Sequence, residues 1–140
     1  MENSGMLGLY INFALAALGS LFAIMTILNA IKKVEEKENS TTPFPIGIMY
    51  MGLCATSVMY SFMLLILSSG KELNEDVFYW GVLVGLVLFF SPIVKGKICA
   101  DGIKNRLEPA KTIIYAVFPE FVAIIAFLIL FQNVILKNQV

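Results

Sequence analysis

Four long apolar stretches separated by short polar ones leave this chain little choice of fold. About 20 apolar residues cross the hydrocarbon core of a bilayer as a helix, and the sequence offers that length four times. The first stretch runs from about Met6 to Ile31 and the second from about Pro45 to Ser69, both without charge. A third begins near Val77 and is uncharged to Val94, with helical periodicity able to carry it through Lys95 to Ile103. The fourth runs from about Lys111 to Leu136. With 59% hydrophobic residues in 140, the chain is spent on spans and not on a water-soluble core.

The first stretch does not read as a cleaved signal peptide. Glu2 and no basic residue precede it, and the apolar run continues well past the small residues Ala14 and Ala16. Basic residues give the expected orientation. Lys32, Lys33, Lys37, Lys95, Lys97, Lys104, Arg106 and Lys111 lie at or toward two connections, against Lys71 and Lys137 on the opposite side. The positive-inside rule then places both connections in the cytoplasm and both termini outside. Lys32 to Glu38 reads as a solvated connection of mixed charge.

One residue breaks the apolar pattern of the fourth stretch. Glu120 is the only acidic residue between Ile113 and Leu136, and an ionised carboxylate at the centre of a bilayer costs at least about 2.5–3.5 kcal/mol. Such a residue points to ion or proton binding inside the membrane. Conventional enzyme chemistry finds little support. Histidine is absent from the sequence, removing the commonest general base and metal ligand. No nucleophile-and-base arrangement or phosphate-binding glycine loop is apparent. Cys54 and Cys99 are far apart in sequence, are expected at different depths, and suggest packing, not a disulfide or metal framework.

The chain repeats internally. A shift of 65 residues sets Ile48 on Ile113, Tyr50 on Tyr115 and Phe62 on Phe127, while a shift of 72 sets Asn29 to Lys33 on Asp101 to Asn105. This predicts an all-α membrane protein of four transmembrane helices in two tandem hairpins, residues 1–70 and 71–140. Ala55 stands where the second hairpin has Glu120, so the first lacks the carboxylate. The helices also divide by side-chain size. Gly8, Asn12, Ala16, Gly19, Ser20, Ala23 and Ala30 share one face of the first, and Gly81, Gly85, Gly96 and Gly102 flank Pro92 in the third. Small residues let membrane helices approach closely. The second and fourth carry Tyr50, Tyr60, Phe62, Tyr115, Phe118, Phe121, Phe127 and Phe131. Small inner and aromatic outer helices suggest an oligomeric ring, although ordinary four-helix packing gives the same division.

The segment Phe118-Pro119-Glu120-Phe121-Val122-Ala123-Ile124, with its Phe127-Leu128-Ile129-Leu130 tail, resembles the last helix of the V/A-type rotary ATPase proteolipid, the membrane-ring subunit called c or K. Lys95-Gly96 to Gly102-Ile103 is similar to that family's third-helix Gln-Gly-x-x-x-Ala-x-Gly-Ile, and Ala55-Thr56-Ser57 to Tyr60-Ser61-Phe62 to its Gly-Thr-Gln-x-x-Tyr-Gly-Phe. The resemblance implies a non-catalytic rotor subunit in a homo-oligomeric ring, turning against a stator membrane subunit that carries an essential arginine. The cytoplasmic connections would meet a central-stalk subunit. It also implies a prokaryotic plasma membrane, no nucleic acid and no cofactor beyond the transported ion.

In that family Glu120 would bind a proton or a sodium ion, which neutralises it for passage through lipid, and Pro119 would loosen the helix beside it. Thr56 matches a sodium ligand. Ser57 stands where the family has a glutamine and Lys95 where it has another. An ammonium cannot ligate a cation, so protons are expected over sodium. Lys95 and Glu120 are expected at similar depth, either as a buried ion pair or with Lys95 reaching back to the cytoplasmic surface. Two other readings stand beside the rotor: a small four-helix proton-coupled transporter, and a structural membrane subunit with a static Lys95/Glu120 pair.

Overall fold

The computed structural model describes residues 4–38, 43–70 and 72–136. It is helical throughout: α1 (Ser4–Glu38), α2 (Pro43–Cys54), α3 (Thr56–Ser68), α4 (Glu75–Lys104) and α5 (Pro109–Phe131), with a π-helical turn at Gln132–Leu136. Four stretches are long and apolar enough to cross a membrane: Ser4–Glu38, Phe44–Ser68, Glu75–Lys104 and Pro109–Val134. Lys71, Lys137 and Glu2, which entered the orientation and leader arguments, lie outside the described residues.

The most extensive contact is between α1 and α4, and glycine makes it possible. A Cβ on Gly81 would lie 2.8 Å from the Gly8 carbonyl group, and one on Gly96 would lie 2.8 Å from Cα of Ala23. The backbones therefore touch where larger residues would hold them apart. All the small residues expected on the first helix face are buried, as are Gly81, Gly85, Pro92, Gly96 and Gly102. Asn12, fully buried, donates to the Gly81 carbonyl at 2.9 Å and accepts from Ser61 of α3. One amide thus ties α1 to two neighbours and leaves none of these polar groups stranded in an apolar setting. Against this pair, α2 and α3 pack on α1, and α5 packs on α4.

The outer surface is apolar. Phe118, Phe121, Phe90, Tyr79, Met59 and Leu83 are among many large exposed side chains, a coat that suits lipid and not water. Tyr50 departs from the expected outer aromatic set. It is 1% exposed and packs with Cys54, Ile27 and Ile103.

Two element boundaries differ from expectation. Lys32 to Glu38 is the end of α1 and not a connection. Its charges remain outside while Ile31 and Val34 turn inward, because apolar residues spaced by three continue the helical stripe. The second apolar stretch is not one helix but two, interrupted at Ala55. Proline, by contrast, does not end α4 or α5, which run through Pro92 and Pro119. In a membrane, neighbouring hydroxyls can take up the backbone groups that proline frees. Ser91 does so beside Pro119, donating to its carbonyl at 2.8 Å.

Contacts at the two ends fix which termini of the helices lie together. Glu38, ending α1, pairs with Arg106 in the turn between α4 and α5. At the other end Gly5 lies against Leu73 and Asn74. The α4–α5 turn closes with Leu107 N–H bonded to the Gly102 carbonyl and Arg106 N–H to that of Ile103, the pattern of a Schellman cap. Arg106 occupies its left-handed position at φ 56°, where glycine is the usual residue.

Candidate functional site

The interruption at Ala55 creates the site. A helix end leaves carbonyls without intrahelical partners, and side chains reach the last two carbonyls of α2. Lys95 donates to that of Leu53 at 2.8 Å, and Ser20 to that of Cys54 at 3.0 Å. Irregular backbone at membrane depth is tolerated where protein groups satisfy it, and these two side chains meet that condition.

Lys95 then spends its remaining donors on side chains. Its ammonium donates to Thr56 Oγ1 at 2.8 Å and to Glu120 Oε2, with which it forms an ion pair. An ammonium has three donors, and all three are used. Thr56 accepts from Lys95 and donates its own proton to Glu120 Oε2 at 2.8 Å. Tyr60, one turn further along α3, donates to Glu120 Oε1. The carboxylate accepts three hydrogen bonds, and every proton in the network has one acceptor. This is the pattern of a charged pair whose charges are compensated, without which burial would cost several kcal/mol per ion.

The two partners are not equally covered. The Lys95 side chain is 1% exposed, while that of Glu120 is 21% exposed and lies on the outward side of α5. A cavity of about 50 Å³ opens beside them, lined by Leu53, Lys95, Ile113, Ala116, Val117 and Glu120. A water molecule needs about 10–15 Å³ of such space, so the cavity has room for one. On its other flank the site is closed by the Tyr60 ring, which stacks on Phe127 with centroids 5.1 Å apart.

The structure brings Thr56, Lys95 and Glu120 together and places Pro119 beside them. Ser57 does not join. Its hydroxyl is fully buried and has no hydrogen-bond partner among the described residues, because one helical step (about 100°) separates its face from that of Thr56. The expectation that Ser57 stands in a ligand position is therefore not met here. Lys95 does not reach toward the surface: of the two arrangements open from sequence, the buried pair is the one formed. Tyr60 and the Leu53 carbonyl enter the site without having been singled out for it. The spacing Thr56-x-x-x-Tyr60 places both on one helix face and could have indicated the tyrosine. The carbonyl has no side-chain signature.

Cys54 and Cys99 also depart from expectation. Both are fully buried in the same cluster, and their thiols hydrogen-bond to each other. They lie at one depth because α2 ends beside the middle of α4. Among the described residues no group of three or more His, Cys, Asp or Glu side chains gathers to hold a metal. No protein-family model matches the chain, and no curated protein matches it.

Proposed function

We propose that this chain is a rotor-ring subunit of a V/A-type rotary ATPase or ATP synthase, carrying protons through Glu120 with Lys95 as its partner. The observation that carries the reading is the placement of Glu120. It sits on an outward helix at membrane depth, held by Thr56, Tyr60 and Lys95 around an interrupted helix. The exposed apolar faces are the surfaces through which copies would meet each other and lipid. The α1–α4 contact, built of small residues, forms the inner layer of such a ring, and the two tandem hairpins its repeating unit.

The Lys95–Glu120 pair has no net charge, which is the condition for passing through lipid. When an arginine of a stator subunit takes over the carboxylate, Lys95 is left unpaired in an apolar site. A buried ammonium without a partner favours its neutral form, so the proton that leaves is that of Lys95. It returns when the pair re-forms. In this scheme a proton exchanges and sodium does not, since the ammonium already fills the space between the three oxygens. The basic residues orient both connections toward the cytoplasm, where a central-stalk subunit would meet them. A cysteine placed at Asn105 reacting only from the outside would refute that orientation.

Native mass measurement or electron microscopy of detergent-extracted protein tests the class directly, with a closed ring expected and a stable monomer the refuting result. Glu120→Gln is expected to abolish proton pumping in reconstituted vesicles. A second reading, a structural subunit in which the pair is static, draws on the saturation of all three Lys95 donors. It requires that Glu120→Gln leave every transport activity of the assembly intact.

A further inference from the structure

Two thiols lie one helical turn from the ion pair and take no part in holding it. Cys99 follows Lys95 by four residues on α4, so it sits on the same face one turn away. Cys54 is the last residue of α2, next to Leu53, whose carbonyl accepts from Lys95, and two residues before Thr56, which donates to Glu120. Both cysteines are free and fully buried, and their thiols hydrogen-bond to each other across the α2–α4 contact. Sulfur atoms so placed need only a small approach to reach the disulfide length of about 2.05 Å.

We propose that Cys54 and Cys99 form a regulatory disulfide that clamps the end of α2 to α4 and holds the Lys95–Glu120 pair closed. The interruption at Ala55 is where the backbone can yield, and Leu53 and Thr56 on its two sides hold the pair. A covalent tie at Cys54 fixes that segment against the helix bearing Lys95. The bond adds no charge to an apolar region. It makes the release of Glu120 harder, because release requires the oxygens of Leu53 and Thr56 to move relative to Lys95.

The oxidant must be soluble in the bilayer. Thiols in the cytosol are kept reduced by glutathione, but that charged tripeptide does not enter hydrocarbon, and the two sulfurs are reached instead by oxidants dissolved in lipid, such as quinones. The reaction balances. Two S–H bonds break and one S–S bond forms, and the two electrons and two protons released convert one quinone to its hydroquinone. The disulfide is a property of a single chain. Only its effect on Glu120 rests on the coupling role proposed above.

The test uses the intact protein in lipid vesicles with tetramethylbenzoquinone, whose substituted ring resists addition by thiols. Oxidation is expected to lower the mass of the single chain by about 2 Da and to remove both alkylatable thiols after denaturation, reversed by a membrane-permeant dithiol. Cys54→Ala and Cys99→Ala should show neither change. The oxidised protein should react with a hydrophobic carbodiimide at Glu120 about threefold or more slowly than the reduced protein, with no such difference in Cys99→Ala. Full alkylation of both thiols after treatment, or a bond joining two chains on a non-reducing gel, overturns the disulfide. A disulfide that leaves Glu120 labelling unchanged overturns the clamp. Absence of a closed ring would count against the rotor reading while leaving the mass shift in place, so the two failures are separable.

Discussion

The ammonium of Lys95 and the carboxylate of Glu120 neutralise each other in the interior of the helix assembly, and the same ammonium holds the Leu53 carbonyl at the break between α2 and α3. One side chain therefore links the charge state of α5 to the backbone integrity of the second span. Removing either partner alters both.

A double-mutant comparison measures that dependence. Glu120→Leu alone leaves Lys95 buried without its counter-charge and is expected to destabilise the detergent-solubilised protein by about 3–5 kcal/mol. Replacing both residues, as Lys95→Met with Glu120→Leu, should recover most of that loss. Thermal or denaturant unfolding of the single and double variants checks it. Additive losses would mean that the two side chains do not interact.

Carbodiimide attacks the protonated acid, so the pair should make Glu120 slow to react in the unmutated protein. Lys95→Gln removes the positive charge that favours the carboxylate, and Glu120 should then label readily near neutral pH. Sodium should not protect the unmutated protein, because Lys95 already occupies the oxygen site. Strong protection by sodium would overturn the proton assignment, and equal reactivity with and without Lys95 would rule against the pair.

Tyr60→Phe removes one hydrogen bond to the carboxylate while keeping the ring that stacks on Phe127. A hydrogen bond to a charged group contributes about 1.5–3 kcal/mol, so the variant should lose stability in that range and label faster at Glu120. Tyr60→Leu should lose more, since the stacking contact goes as well. A Phe variant indistinguishable from the parent in both measurements would remove Tyr60 from the site.

Glycines test the α1–α4 contact against an internal control. Gly81→Val should disrupt packing severely, because its Cβ would already collide with the Gly8 carbonyl group. Gly52→Ala should be neutral or stabilising by up to about 1 kcal/mol, since a Cβ there meets nothing within 4 Å and alanine favours the helix. Melting temperatures in one detergent suffice, and equal effects at the two positions would contradict the packing.

Arg106→Gly should relieve the left-handed backbone at the α4–α5 cap, a gain of roughly 1–2 kcal/mol, less the small contribution of the exposed Glu38 pair. Arg106→Ala keeps the strain and loses the pair, so it should be less stable than Arg106→Gly. The reverse order would show that the Glu38 contact outweighs the backbone conformation.

The sequence by itself determined the helical, four-span character of the chain, because the length and charge of apolar runs are local properties. It also determined the close face of α1 and α4, since small residues at helical spacing mark one stripe, and it singled out Glu120, since a lone carboxylate among apolar residues is costly wherever it lies. Only the tertiary structure decided the fate of Lys95. A lysine near a helix end can extend to either side, and the choice depends on which oxygens stand within reach. It likewise decided that Tyr60 and the Leu53 carbonyl belong to the site, that Ser57 faces away, and that Cys54 meets Cys99. Each of these depends on the break at Ala55, which no proline or glycine at that position announces. The break persists because Lys95 and Ser20, distant in sequence, accept the task of satisfying the carbonyls that α2 leaves open.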